Sequence, residues 1–107
     1  MEYKIFIAKD FSETPGPRYK KDGEYSGEQF RDDILLPKFK ECPDGEKIII
    51  DLDGGYGYPS SFLEEAFGGL ARIYPPEQVL AKLQFVSTEE PSLIETIIKY
   101  IRKARVK

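Results

Sequence analysis

Residues 47–52, KIIIDL, constrain the fold of this chain more than any other stretch. Three consecutive isoleucines lie between turn residues (Pro43, Asp44 and Gly45 before, a glycine-tyrosine loop after). The pattern predicts a strand buried on both faces, in the middle of a parallel sheet. Such a strand needs partners on either side and helices to cover it. Residues 3–8 alternate as a strand does, with Tyr3, Ile5 and Ile7 toward one side, and residues 84–87 read as a third strand.

Helices fill the intervals. Ser26 is a good N-cap with Gln29 three residues on, the spacing of a capping box, and Phe30, Ile34, Leu35 and Phe39 follow at helical spacing. Pro37 cannot donate to the carbonyl of Asp33 and is expected to kink that helix or end it early. The next helix is expected to begin at Ser60 or Ser61, because Ser61 and Glu64 also have capping-box spacing. Leu63, Ala66, Phe67 and Leu70, with Ile73 or Tyr74, form its apolar stripe. Gly68 and Gly69 lie inside it, each about 1 kcal/mol worse than alanine, which points to close packing of helix against sheet. Pro75 and Pro76 end that element, and a short helical turn is expected over residues 79–83. Ser87 or Thr88 is placed to cap a last helix, with Leu93, Ile94, Ile97, Ile98, Ile101 and Ala104 on its buried face. The alternation indicates a small α/β layer fold. Its sheet is mainly parallel or mixed, with about three to four strands and about three to four helices joined by right-handed crossovers.

The 107 residues are 40% apolar with 7 Phe and 7 Tyr, enough core for one domain over 1–107. No stretch reaches the roughly 18 apolar residues that cross a bilayer, and MEYKIFIAKD lacks the layout of a secretory signal. With Cys42 the single cysteine, these features fit a reducing cytoplasm. The chain has no histidine, which removes Ser-His and Cys-His nucleophiles and most transition-metal sites, and no cofactor is expected. A net charge of −3 argues against general nucleic-acid binding. That charge is uneven: Lys99, Arg102, Lys103, Arg105 and Lys107 put five positive charges in the last nine residues, leaving −8 elsewhere. The plain reading is that these cations complement the C-terminal end of the last helix.

The functional signal lies in residues 48–70, IIIDLDGGYGYPSSFLEEAFGGL. The block reads strand, loop and helix, with two hydroxyls at a helix N-terminus, where free N–H groups and the dipole favour negative charge. Partners and ligands of open α/β sheets meet the carboxyl ends of the strands, where the loop over residues 53–61 belongs. A loop as long as residues 11–25, with Pro15, Gly16, Pro17 and Gly23, is often functional rather than filler, and Arg18, Lys20 and Lys21 are a candidate anion-facing patch there, although a solvated loop is the plainer reading.

GEYSGEQF at residues 23–30, the strand-loop-serine block at residues 48–63 and the strand-helix stretch at residues 82–94 together resemble the STAS superfamily, which includes bacterial anti-sigma factor antagonists. They resemble most closely the STAS-like family of uncharacterised domains. In antagonists the first serine of the pair is phosphorylated by a GHKL-type ATPase kinase that is also the anti-sigma factor, and phosphorylation ends the complex. Carried over by position, that serine is Ser60. Pro59 stands in the place of the motif's aspartate and Phe62 in the place of its glycine.

The resemblance implies a non-catalytic regulatory module for partner switching. It would dock a GHKL-type ATPase or kinase through Tyr56, Tyr58, Ser60, Ser61, Phe62 and Glu65. Ser60 and Ser61 are the phosphorylation candidates and Arg18 is a candidate anion contact. Glu64 and Glu65 are expected to oppose a phosphate there, and Tyr58, beside Pro59, is expected to be more packed than Tyr56. The plainer alternative is that the serines only cap a helix. Two other classes remain open: a carboxylate-based or magnesium-dependent enzyme using Asp51, Asp53, Glu64 and Glu65, or a nucleic-acid adaptor using Lys20, Lys21 and the basic tail.

Overall fold

The computed structural model describes residues 3–104. Three strands form one parallel sheet in the order β1 (Tyr3–Phe6), β2 (Ile48–Asp51), β3 (Leu83–Val86). Ile5 pairs with Ile50 and Ile50 with Phe85, while Lys4, Ile49 and Gln84 lie side by side in the next register position. Ile5, Ile48, Ile50 and Leu83 are buried, whereas Lys4 and Gln84 are exposed and Ile49 is half-buried. The core therefore sits on one face of the sheet. Burial of β2 on both faces is corrected, because its middle isoleucine lies on the open face.

Among the described residues five helices pack with the sheet, rather than three or four. After β1 the chain turns at once into α1 (Ile7–Asp10), where Asp10 accepts the Phe6 N–H at 2.8 Å, so the strand ends two residues before Ala8. Helix α2 runs over residues 27–41, with a wider π turn at Arg31–Leu35 between α-helical Gly27–Phe30 and Leu36–Glu41. Helix α3 runs over residues 60–71 and has its own π turn at Glu64–Gly68, between Ser60–Leu63 and Gly69–Ala71. Helices α4 (Pro76–Lys82) and α5 (Ser92–Lys103) follow, and α4 is fuller than the turn expected there. No helix among the described residues is long and apolar enough to cross a membrane.

Ser26 caps α2 as its sequence indicates: its Oγ accepts the Gln29 N–H at 3.0 Å, while Gln29 Oε1 accepts the N–H of Tyr25, one residue before the expected partner, at 3.1 Å. Pro37 does not end this helix. The π turn just before it lengthens the hydrogen-bond step, so the missing amide is absorbed and the helix continues to Glu41. Helices α2 and α3 meet closely at their glycines. A Cβ on Gly27 would lie 2.5 Å from the Phe62 carbonyl oxygen, and one on Gly69 would lie 2.5 Å from the Arg31 guanidinium. Gly69 makes room for the Arg31 side chain reaching across from α2, and not for the sheet.

The core is a run of aromatic rings from the long loop to the sheet. Phe11 packs on Phe30 (5.3 Å between centroids), Phe30 on Phe62 (5.9 Å) and on Phe67 (6.0 Å), and Phe67 on Phe85 (5.5 Å). Along α5, Ile97 and Ile101 are fully buried and Leu93, Ile94 and Ile98 are half-buried. This helix starts at Ser92 behind Pro91, so neither Ser87 nor Thr88 caps it. Ser87 Oγ donates to the Glu90 carbonyl at 2.6 Å, and Thr88 turns to Asp53.

Candidate functional site

The loop between β2 and α3 leaves the carboxyl end of the central strand and is tied down on the β3 side. Asp51 accepts the Asp53 N–H at 3.0 Å. The Asp53 carboxylate in turn accepts the Glu89 N–H (3.0 Å), the Thr88 hydroxyl (2.6 Å) and the Thr88 N–H (3.1 Å). These bonds, the one from Glu89 first, hold the Asp53 carboxyl below its ordinary range. Glu89 answers by accepting the Gly54 N–H at 2.6 Å. The Tyr58 hydroxyl donates to the Leu52 carbonyl at 2.9 Å, and burial, with lesser help from the charges of Asp51, Asp53 and Glu89, pushes this phenol up, so it stays protonated. A cavity of about 190 Å³ opens here between Leu52, Tyr56, Tyr58, Ser87, Glu90 and Leu93.

Tyr56 stands out of this framework. It is 84% exposed, and its backbone N–H is tied to the Glu13 carbonyl at 2.9 Å. Tyr58 is half-buried, its ring 6.1 Å from that of Phe62. The ordering of the two tyrosines expected from the neighbouring proline is the one found.

Helix α3 begins at Ser60 with Pro59 as its N-cap, and no side chain caps it. The capping role expected of Ser60 or Ser61 is corrected. The Pro59 carbonyl accepts the N–H groups of Phe62 (3.1 Å) and Leu63 (3.2 Å), and Glu64 points to arginines instead of back to a serine. Ser60 is exposed and Ser61 half-buried, and neither hydroxyl is hydrogen-bonded to a described residue.

From Phe62 onward the helix changes character. Phe62 is fully buried between Phe11, Phe30 and Tyr58, which corrects its assignment to a contact surface. A large ring where the antagonist motif has glycine fills the α2–α3 interface. Glu65 is also buried, its Oε2 held by Arg31 at 2.5 Å, and it too leaves the contact set. Arg18 reaches from the long loop to bond Glu64 and lies 3.4 Å from Glu65, so it is an intramolecular anchor rather than a free anion contact. Arg72 holds the other Glu64 oxygen at 2.8 Å. Arg72 first and Arg18 second keep the Glu64 carboxyl below its ordinary value. Three arginines thus neutralise the two carboxylates expected to repel a phosphate on the serine pair.

The paired helices, the central strand and its serine-bearing loop all fall within residues 26–93, the span matched by the model of the STAS-like domain of unknown function (DUF4325). The chain belongs to this STAS-like family. No curated protein and no solved structure matches it.

In this STAS-like domain the carboxylates offered for catalysis are divided between two places. Asp51 and Asp53 organise the loop after β2, and Glu64 and Glu65 sit in the arginine cluster. Among the described residues no group of three or more acidic, cysteine or histidine side chains is placed to hold a metal. Lys20 pairs with Asp32 at 3.2 Å, Lys99, Arg102 and Lys103 are exposed on α5, and Arg105 and Lys107 lie outside the described residues. Sequence reasoning missed Arg31, Arg72, Thr88 and Glu89. Arg72 falls eight residues after Glu64, outside the three- or four-residue spacing of helical pairs, and Arg31 meets Glu65 only through the tertiary fold.

Proposed function

We propose that this chain is a regulatory docking module, one domain over residues 1–107, whose contact surface is the end of the molecule carrying Tyr56, Tyr58, Ser60 and Ser61. The observation that carries the reading is the exposed, uncapped Ser60 in the first turn of α3, close in sequence to the 84% exposed ring of Tyr56. Tyrosines of this kind are efficient interface anchors, and most of the surrounding loop is held rigid by Asp53 and Tyr58, which lowers the ordering cost of binding.

A GHKL-type ATPase or kinase is the partner this family resemblance favours, with phosphorylation of Ser60, and secondarily Ser61, as the switch. A phosphate would bring roughly −2 charge to a helix N-terminus that favours it. Its nearest carboxylates are already compensated by Arg18, Arg31 and Arg72. The test is calorimetric titration of a purified GHKL-type ATPase into Ser60→Ala and Ser60→Asp proteins. The switch requires the alanine variant to bind like the wild type and the aspartate variant to bind at least tenfold more weakly. Equal affinities would end the switch reading.

A further inference from the structure

The loop over residues 11–25 carries several features of a moving part. Its side chains are mostly exposed, Pro15 alone being buried, yet its ends hold down the helices that bear the site. Phe11 closes over Phe30 and Phe62. The carbonyls of Pro17 and Arg18 accept the N–H groups of Gly27 (2.9 Å) and Glu28 (3.0 Å), the Glu13 carbonyl accepts that of Tyr56, and the Arg18 side chain crosses to Glu64 and Glu65 on α3.

At the junction with α2 the backbone is strained. Tyr25 has φ 57°, the one positive value at a non-glycine residue among those described, and a bulky residue avoids this region. Three contacts hold it there: its carbonyl accepts the Gly16 N–H at 2.8 Å, its N–H donates to Gln29, and its ring meets Phe11 edge-on at 5.5 Å. Two of the three come from the loop itself, so they vanish together if it lifts, and the strain at Tyr25 is then released. Strain held mainly by the closed arrangement, with Gln29 alone left to oppose its release, marks a hinge.

We propose that residues 11–25 form a strap, hinged at Tyr25 and latched by Arg18, that opens as a unit while the sheet stays folded and in closing covers the Phe30–Phe62 rings. The open form uncovers those rings beside Tyr58 and Ser61, so the strap controls how much apolar surface the serine end presents. The inference concerns the isolated chain and stands apart from the docking reading, which a binding failure would overturn without touching it.

Native-state hydrogen exchange on the full chain in low denaturant tests it. The amides of Gly16, Gly27, Glu28 and Tyr56 report the strap, and Leu52, bonded to the Val86 carbonyl at 2.8 Å, reports the sheet. The strap amides are expected to share one opening, about a hundredfold more frequent than that of Leu52 and weakly dependent on denaturant. Arg18→Gln is expected to make that opening about tenfold more frequent and to leave Leu52 unchanged. Strap amides that exchange with the rate and steep denaturant dependence of Leu52, that each follow a different opening, or that Arg18→Gln leaves no faster relative to Leu52 would overturn the proposal. The wild-type measurement alone decides the first two.

Discussion

The first two residues of α3 and those that follow them differ in burial and in bonding, the properties that separate a working surface from a structural one. At the start of the helix the hydroxyls of Ser60 and Ser61 have no hydrogen-bonded partner among the described residues, and Ser60 faces solvent. Beyond them Phe62 is fully buried, and Glu64 and Glu65 are shared among three arginines drawn from the long loop, from α2 and from the C-cap of α3. The same stretch of helix therefore does two jobs, and the boundary falls between Ser61 and Phe62. Residues on either side of it look alike as a contact motif in sequence, but the structural side is already satisfied by its own fold.

Phe62→Ala would break this comparison most severely. Emptying a fully buried ring site at the α2–α3 interface should cost about 3–5 kcal/mol in denaturant unfolding. A loss under about 1 kcal/mol would place Phe62 back on the surface. Glu65→Gln should cost about 2 kcal/mol, because half-buried Arg31 then loses its main counter-charge and has only Asp32, at 3.0 Å, as a charged partner.

Acid provides a gentler test of the same cluster. Glu64 is held below the ordinary glutamate value of about 4.3. Its contribution is therefore complete above that value and drains away as pH falls through the lower folded value. Glu64→Gln should be less stable than wild type at pH 7, and the gap should shrink steadily below pH ~4. A gap that stays constant into acid would show that the pairing with Arg72 and Arg18 contributes nothing.

The smallest effects compare two serines. Ser26→Ala removes a true N-cap and should cost about 1 kcal/mol. Ser60→Ala removes no cap and should stay within about 0.5 kcal/mol of wild type. If the two cost the same, Ser60 is a capping residue after all and the start of α3 joins the structural side.

How much of this was visible in sequence depends on the range of the physics involved. The three strands, the Ser26 cap and the apolar faces of α2, α3 and α5 rest on local periodicity and were legible, as was the packing of Tyr58 beside Pro59. The one-sided burial of β2 was not, because IIID reads the same whether one face is covered or both. Nor were the π turns, which alter hydrogen-bond step without altering composition and which let Pro37 sit inside a continuous helix. Phe62 misled because its position was carried from a motif glycine, and a position says nothing about what fills the space. The arginine cluster joins Arg18 to a residue 46 positions away, beyond any local pattern.

The central claim is that the docking surface ends at Ser61 and is anchored by Tyr56. Tyr56→Ala, measured for both thermal stability and calorimetric affinity for a purified GHKL-type ATPase, tests it in one variant. The account predicts an unchanged unfolding transition with affinity at least tenfold weaker. Wild-type affinity in the Tyr56→Ala protein would contradict it.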